Sequence, residues 1–112
     1  MKIRKIKPIL PSLREKKRYL GFEIMQKGIK SDFNAISAEI MRNASKLMGD
    51  LSLANAQIHI FPEKFNGKTG IIKVNNKYLD HLKASLALSS IQMRSIAVSG
   101  MLNKIEKKIG EV

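Results

Sequence analysis

The sequence predicts an α+β fold built on one four-stranded antiparallel sheet. Stretches in which apolar residues alternate every second position are separated by longer stretches in which they recur every third or fourth position. The resulting order is strand, helix, strand, strand, helix, strand and a final helix, which matches the ferredoxin-like, split βαβ sandwich with two helices on one face of the sheet plus a C-terminal helix. With 112 residues, 44% of them hydrophobic, the chain suits a single domain with a real core.

A basic arm precedes the first strand and the first helix. We expect the arm over residues 1–16, where two prolines interrupt any period, and the sandwich over residues 17–112. The first strand is predicted from three alternating apolar residues, Leu20, Phe22 and Ile24. Ser31 or Asp32 can cap the first helix, and Gly49 is placed to end it. The apolar face of that helix comprises Phe33, Ile36, Ile40, Ala44 and Leu47.

The second half of the chain repeats the pattern with a hairpin. Ile58 and Ile60 predict the second strand, and Asn66-Gly67 is a strong turn signal before a third strand over residues 71–74. Asn75 or Asn76 can cap the second helix. Apolar residues at helical spacing there are Leu79, Leu82 and Leu86. A fourth strand is predicted over residues 91–99, and the final helix carries Leu102, Ile105 and Ile109 on one face.

Positive charge is the strongest compositional feature. Lysine and arginine total 21 against 9 acidic residues, and the net charge is +12. A charge this uneven predicts a polyanionic partner, and the excess of lysine over arginine favours phosphate contacts over base recognition. The best candidates for phosphate contact cluster at the entrance to the first strand: Arg14, Lys16, Lys17 and Arg18. The alternative is that these charges protect an edge strand from aggregation.

Several function classes are excluded or disfavoured. The chain has no cysteine, which excludes disulfides, thiol catalysis and zinc–thiolate sites. Its only histidines, His59 and His81, lack the spacing of a metal site. No apolar run approaches the roughly 18 residues of a membrane span, and the start is a poor signal peptide. We therefore expect a cytoplasmic protein that contacts no membrane, holds no metal and has no catalytic residues of its own.

The outer face of the sheet, away from the two helices, is predicted to be mixed and moderately apolar. Exposed apolar patches commonly mark protein interfaces. The interface candidates on this face are Tyr19, Gly21, Phe61, Ile71 and Met93. The alternative is that the C-terminal helix or the basic arm covers the face within the chain itself.

Two better-known classes of protein with this fold fit the sequence poorly. RNA-recognition motifs stack bases on aromatic rings of the central strands, but the strand KTGIIKVN has Ile71, Ile72 and Val74 where rings are needed. Acylphosphatases need an anion-binding loop after the first strand, and the loop at residues 26–31 contains no arginine.

Three stretches resemble the family of archaeal ribonuclease P protein component 2. They are LPSLREKKRYLGFEI at residues 10–24, GIIKVNNKYLDHLKASLAL at residues 70–88 and SIAVSGMLNKIEKK at residues 95–108. The resemblance spans most of the chain, and the order and spacing of the stretches agree.

The resemblance implies a role in RNA processing. The family's ribonucleoprotein removes the 5′ leader of precursor tRNA with metal ions held by its catalytic RNA, so magnesium belongs to the partner RNA and the chain needs no cofactor. It also implies pairing with component 3, a TIM-barrel-like protein, often as a two-plus-two hetero-oligomer. On this view the outer sheet face binds component 3 or a second copy. RNA is contacted by Arg14, Lys16, Lys17 and Arg18, joined by Lys73, Lys104 and Lys108.

Three other functions stay open on the sequence. One is a different RNA-packing subunit of the ribosomal type. Another is a protein-only interaction module whose basic arm is incidental. The last is an acylphosphatase-like enzyme, which a hydrolysis assay would detect.

Overall fold

The computed structural model describes residues 16–25 and 32–111. Its strands are β1 (Lys17–Ile24), β2 (His59–Ile60), β3 (Thr69–Asn75) and β4 (Met93–Ser99). Its α-helices are α1 (Phe33–Met48), α2 (Asp50–Ala56), α3 (Leu79–Ala87) and α4 (Leu102–Gly110). Short 3₁₀ turns occupy Pro62–Lys64 and Asn76–Tyr78. In this described part of the chain, no helix is long and apolar enough to cross a membrane.

The strands form one antiparallel sheet in the order β2-β3-β1-β4. The first strand is therefore central, with β3 and β4 beside it. Since this is the strand order of a split βαβ sandwich, the predicted α+β fold is confirmed.

The main core lies between the sheet and two helices, α1 and α3. Leu20 and Phe22 of β1 are fully buried there, and Ile40 of α1 and Leu82 of α3 pack over them. Each such side chain contributes about 1.5–3 kcal/mol of hydrophobic stabilisation. The inward positions of β1 are the ones that the two-residue alternation predicted.

The first helix begins and ends as its sequence predicts. The side chain of Asp32 accepts a hydrogen bond from the Ala35 amide at 3.3 Å, which caps the N-terminus. Gly49 has a positive φ of 81°, and its amide donates to the Ser45 carbonyl at 2.9 Å. A second helix, α2, which the sequence did not predict, begins directly afterwards at Asp50.

The hairpin between β2 and β3 turns at Asn66-Gly67, as predicted. The Asn66 side-chain oxygen accepts from the amides of Lys68 and Thr69 at 2.9 and 2.8 Å, and Gly67 takes a φ of +94°. This arrangement satisfies the backbone donors of the turn and delivers the chain into β3.

The fourth strand contains a β-bulge that corrects one interface assignment. Gly21 faces Ala97, whereas the next residue of β1, Phe22, faces Ser95, so Ile96 is the extra residue. The bulge reverses the alternation, and Met93 consequently points into the main core, where it is 9% exposed. The exposure expected for Met93 on the outer face is wrong.

The outer face is partly covered by α4, which corrects two further assignments. Ile105 is fully buried against the sheet, and a β-carbon placed on Gly21 would meet the Ile109 side chain at 3.2 Å. Gly21 and Ile71 are buried, so the exposure expected for them is also wrong. The alternation assigned their face correctly, and the alternative in which the C-terminal helix covers that face holds at these positions.

A buried carboxylate fixes the loop between α3 and β4 to α1. Oε2 of Glu39 accepts hydrogen bonds at 2.9 Å from Asn43 Nδ2, from the Ser89 hydroxyl and from both the amide and the hydroxyl of Ser90. Oε1 accepts from Arg42 at 2.9 and 2.5 Å. The donors to Oε2, led by the Ser90 amide, lower the pKa of the Glu39 carboxyl from 4.5 to about 2.

Replacing Gly70 by alanine is expected to destabilise the chain by about 1–3 kcal/mol, the usual cost of overpacking a core. A β-carbon at this position would lie 2.7 Å from the ring of Phe22, which is fully buried, so the ring or the backbone would have to shift. Urea unfolding measures the loss. The control is Gly110→Ala, where a β-carbon meets nothing within 4 Å. Equal stability of the two variants would contradict this packing.

Candidate nucleic-acid interface

The start of β1 gathers three of the predicted RNA-contacting cations. Lys16, Lys17 and Arg18 follow one another where the chain enters the sheet, and the Lys16 carbonyl accepts from the Asn76 amide at 2.7 Å. Arg14 lies outside the described residues. Lys16 is exposed, while Lys17 and Arg18 are half-buried along their stems. The backbone that carries these charges is therefore held by the sheet and by the turn after β3.

Polar contacts hold the neighbouring segments against this end of the sheet. The Lys17 ammonium donates to the Gln57 side chain, which follows α2. Asn75 is fully buried, donates to the Asn55 carbonyl at 3.4 Å and accepts from the Lys77 amide at 3.0 Å. Asn75 thus caps the 3₁₀ turn Asn76–Tyr78, whereas it was expected, with Asn76 as the alternative, to cap the helix itself; α3 begins after Tyr78 without a side-chain cap.

Lys73 stands in a row of outer-face residues that crosses three strands. It pairs with Tyr19 of β1 on one side and with His59 of β2 on the other. Phe61 lies beside the row. Its ring centroid is 6.2 Å from that of Tyr19, with the planes 28° apart, and 4.6 Å from that of His59 in an edge-on arrangement. We call Tyr19, His59 and Phe61 the aromatic cluster.

The two predicted cations of α4 share one flank of that helix. Lys104 and Lys108 are exposed and four positions apart, so they project from the same side. Glu106 lies on the opposite flank and forms an ion pair with Lys64. The helix starts near the start of β1, since a β-carbon on Gly100 would lie 3.4 Å from Arg18 Nη1. Lys104 therefore belongs to the same end of the molecule as Lys16–Arg18.

Charges at the other end of the outer face are neutralised within the chain. Glu23 accepts from Arg94 at 2.7 and 2.8 Å and lies 3.3 Å from the Lys68 ammonium. The hydrogen bonds from Arg94 lower the pKa of the Glu23 carboxyl. By contrast, no described carboxylate lies within 4.0 Å of the charged groups of Lys16, Lys17, Arg18 or Lys73. The start of β1 and the row containing Lys73 thus carry charge that no described carboxylate neutralises, as do the exposed lysines of the helices.

The described residues include no cluster of side chains suited to a metal ion. Within residues 16–25 and 32–111, no group of three or more His, Asp or Glu side chains is placed to hold a metal ion. His59 lies in the aromatic cluster, and His81 lies beside Tyr78 with the ring centroids 5.8 Å apart. The loop considered for an acylphosphatase site, residues 26–31, lies outside the described residues.

The structure also reveals exposed apolar side chains that sequence reasoning had not singled out as surface features. Leu51 of α2 is 78% exposed, and Leu47 in the last turn of α1 is 40% exposed. They lie at the junction of α1 with α2, a helix that the sequence analysis did not predict. Leu47 was assigned to the buried face of α1, and no signal in the sequence marked α2.

Comparison with known proteins agrees with this architecture. The Rpp14/Pop5 family model matches residues 18–110. Ribonuclease P protein component 2 of Pyrococcus horikoshii is 29% identical over 114 residues, covering 95% of this chain and 92% of the relative. Its counterpart in Methanosarcina mazei is 35% identical over 109 residues, covering 92% and 91%. That of Methanococcus maripaludis is 31% identical over 111 residues, covering 92% and 82%.

The chain thus combines a small α+β sandwich, with a basic end that no described carboxylate pairs with, and sequence similarity to these proteins along nearly its whole length. The chain belongs to the Rpp14/Pop5 family.

Proposed function

We propose that this chain is a non-catalytic, RNA-binding subunit of ribonuclease P that supports the catalytic RNA during removal of the 5′ leader from precursor tRNA. Two observations support the proposal. The relatives named above are ribonuclease P proteins. The cations at the start of β1 have no described acidic partner, and an uncompensated basic surface on a rigid scaffold attracts a polyanion.

The mechanism we propose is charge compensation. A folded catalytic RNA brings phosphates close together, and their mutual repulsion must be offset by cations. Lys16, Lys17, Arg18 and Lys73 project from a sheet whose register is set by its pairing and its core, so their charges are held in place before RNA binds. Lys104 and Lys108 extend the same surface along α4. The protein thereby lowers the magnesium concentration at which the RNA folds and acts.

The partners in this proposal are the catalytic RNA, its precursor tRNA and component 3, in a cytoplasmic particle. Magnesium is bound by the RNA, and the chain contributes no ligand to it. Component 3 joins this chain through protein contacts, and the exposed leucines Leu47 and Leu51 are suited to such contacts because apolar surface gains by burial. Gel filtration of the two proteins without RNA measures whether they associate directly.

Reconstitution tests the function. The cognate catalytic RNA and component 3 are mixed with and without this chain, and cleavage of precursor tRNA is followed at low magnesium. We expect a clear loss of cleavage when the chain is omitted. The same RNA with an unrelated basic protein of similar charge serves as the control for simple neutralisation. Unchanged cleavage on omission would remove the assignment to ribonuclease P and would favour a different RNA-packing particle.

A further inference from the structure

The aromatic side chains of the chain fall into two groups by location. Four of the six Phe and Tyr residues lie in the main core or pack against it: Phe22, Phe33, Phe65 and Tyr78. The other two, Tyr19 and Phe61, meet each other on the outer face of the sheet. Neither Tyr19 nor Phe61 belongs to the main core or packs against it.

Among the described residues, the half of the outer face that carries these rings keeps accessible surface. The apolar residues of α4 lie over Gly21, on the side of the sheet nearer β4. Tyr19 and Phe61 keep part of their surface accessible, and His59 is exposed beside them. Three rings of different orientation therefore line one accessible strip across β1, β3 and β2.

We propose that the aromatic cluster is a stacking subsite for one or two unpaired bases of RNA, with Lys73 contacting the adjoining phosphate. The inference rests on the proposed RNA-binding function and specifies the form of RNA that this strip takes. Base–aromatic stacking tolerates any base, because every base has a π-face. It requires an unpaired base, since the bases of a duplex are already stacked on each other.

The charges around the cluster favour RNA over a protein segment. Lys73 lies between Tyr19 and His59 in the cross-strand row, and Lys17 lies on the same face two positions before Tyr19. Neither ammonium has a described carboxylate within 4.0 Å. Rings interleaved with cations that have no described carboxylate partner form a surface that suits a ligand which itself alternates flat rings with anionic groups.

The test compares two probes and two matched substitutions in the full chain. The probes are a single-stranded oligouridine of about eight nucleotides, a length within the usual site size of such grooves, and a blunt RNA duplex. The variants are Tyr19→Leu and Phe61→Leu, and the control is Tyr78→Leu, which changes the other half-buried tyrosine, on the helical side of the sheet. Thermal unfolding confirms that each variant is folded.

We expect Tyr19→Leu and Phe61→Leu each to weaken oligouridine binding about tenfold, the usual order for one stacked base. Duplex affinity and the salt dependence of binding should stay as in the unaltered chain, because no phosphate contact is removed. Ring protons of Phe61 should shift upfield on adding oligouridine, and those of Phe65 should not.

Two results would overturn the subsite. If oligouridine binding is unchanged in both folded variants while duplex binding persists, the cluster does not stack bases and the general RNA-binding function stands. If these variants instead lose association with component 3 at unchanged RNA affinity, the strip is a protein interface. A chain that binds neither probe at low salt would remove both the subsite and the proposed function.

Discussion

Replacing Lys16, Lys17 and Lys73 together by glutamine is expected to weaken duplex RNA binding about 100-fold at low salt, taking about 1 kcal/mol for each lysine near an anionic surface. Glutamine keeps most of the side-chain length and removes only the charge. The slope of log affinity against log salt should fall by roughly 2–3 units, since each phosphate contact to a duplex contributes about 0.9. A salt titration by fluorescence anisotropy measures both quantities.

A matched control separates local contact from net charge. Lys46, Lys83 and Lys107 are exposed lysines on α1, α3 and α4, and none lies at the start of β1 or in the row containing Lys73. Their triple replacement by glutamine removes the same three charges. If this control weakens binding and flattens the salt slope as much as the first variant, RNA binding is diffuse and the start of β1 has no special part in it.

Replacing Glu39 by glutamine is expected to lower the free energy of unfolding by about 3 kcal/mol near neutral pH, as follows from a pKa of about 2 against an ordinary value of 4.5. The four donors that converge on Oε2 would face an amide in place of a carboxylate. A domain of this size has about 5–15 kcal/mol of stability in total, so the loss is a large share of it. Urea unfolding of the two chains measures the difference.

The direction in which the pKa of Glu39 is shifted determines how the free energy of unfolding depends on pH. The folded state lowers the pKa of Glu39, so the stability that this group contributes is present above pH 4.5 and is lost as pH falls towards 2. The difference in free energy of unfolding between the unaltered chain and Glu39→Gln should therefore become smaller as pH falls over that range. Glu111→Gln, at an exposed position, is the control. A gap that stays constant from pH 6 to pH 3 would contradict the network described for Glu39.

The sequence predicted the elements of the fold because local patterns determine them. The alternation in β1, the Asp32 cap and the Asn66-Gly67 turn each act within a few residues, and each is found where it was predicted. The helix α2 escaped notice because DLSLANA has no clear apolar period and follows Gly49, which correctly ends α1. A glycine that ends one helix does not determine what the chain does next.

Side-chain environments that depend on distant parts of the chain could not be predicted. Met93 was assigned to the wrong face because one bulged residue, Ile96, reverses the alternation in β4. Gly21 and Ile71 were assigned to the correct face, but α4 packs over them through tertiary contacts that no local pattern determines. A signal existed in the small residues Gly21 and Ala97, which face each other in adjacent strands and leave room for a helix. Glu39 likewise lies on the apolar face of α1, where a buried carboxylate needs hydrogen-bond donors.

The magnesium dependence of precursor-tRNA cleavage by the reconstituted particle is the most direct measurement of charge compensation at the start of β1. Particles assembled with the Lys16, Lys17 and Lys73 glutamine variant are expected to lose cleavage at low magnesium and to regain it as magnesium rises, while the Lys46, Lys83 and Lys107 control follows the unaltered chain. Identical magnesium curves for all three particles would show that these lysines do not neutralise the RNA.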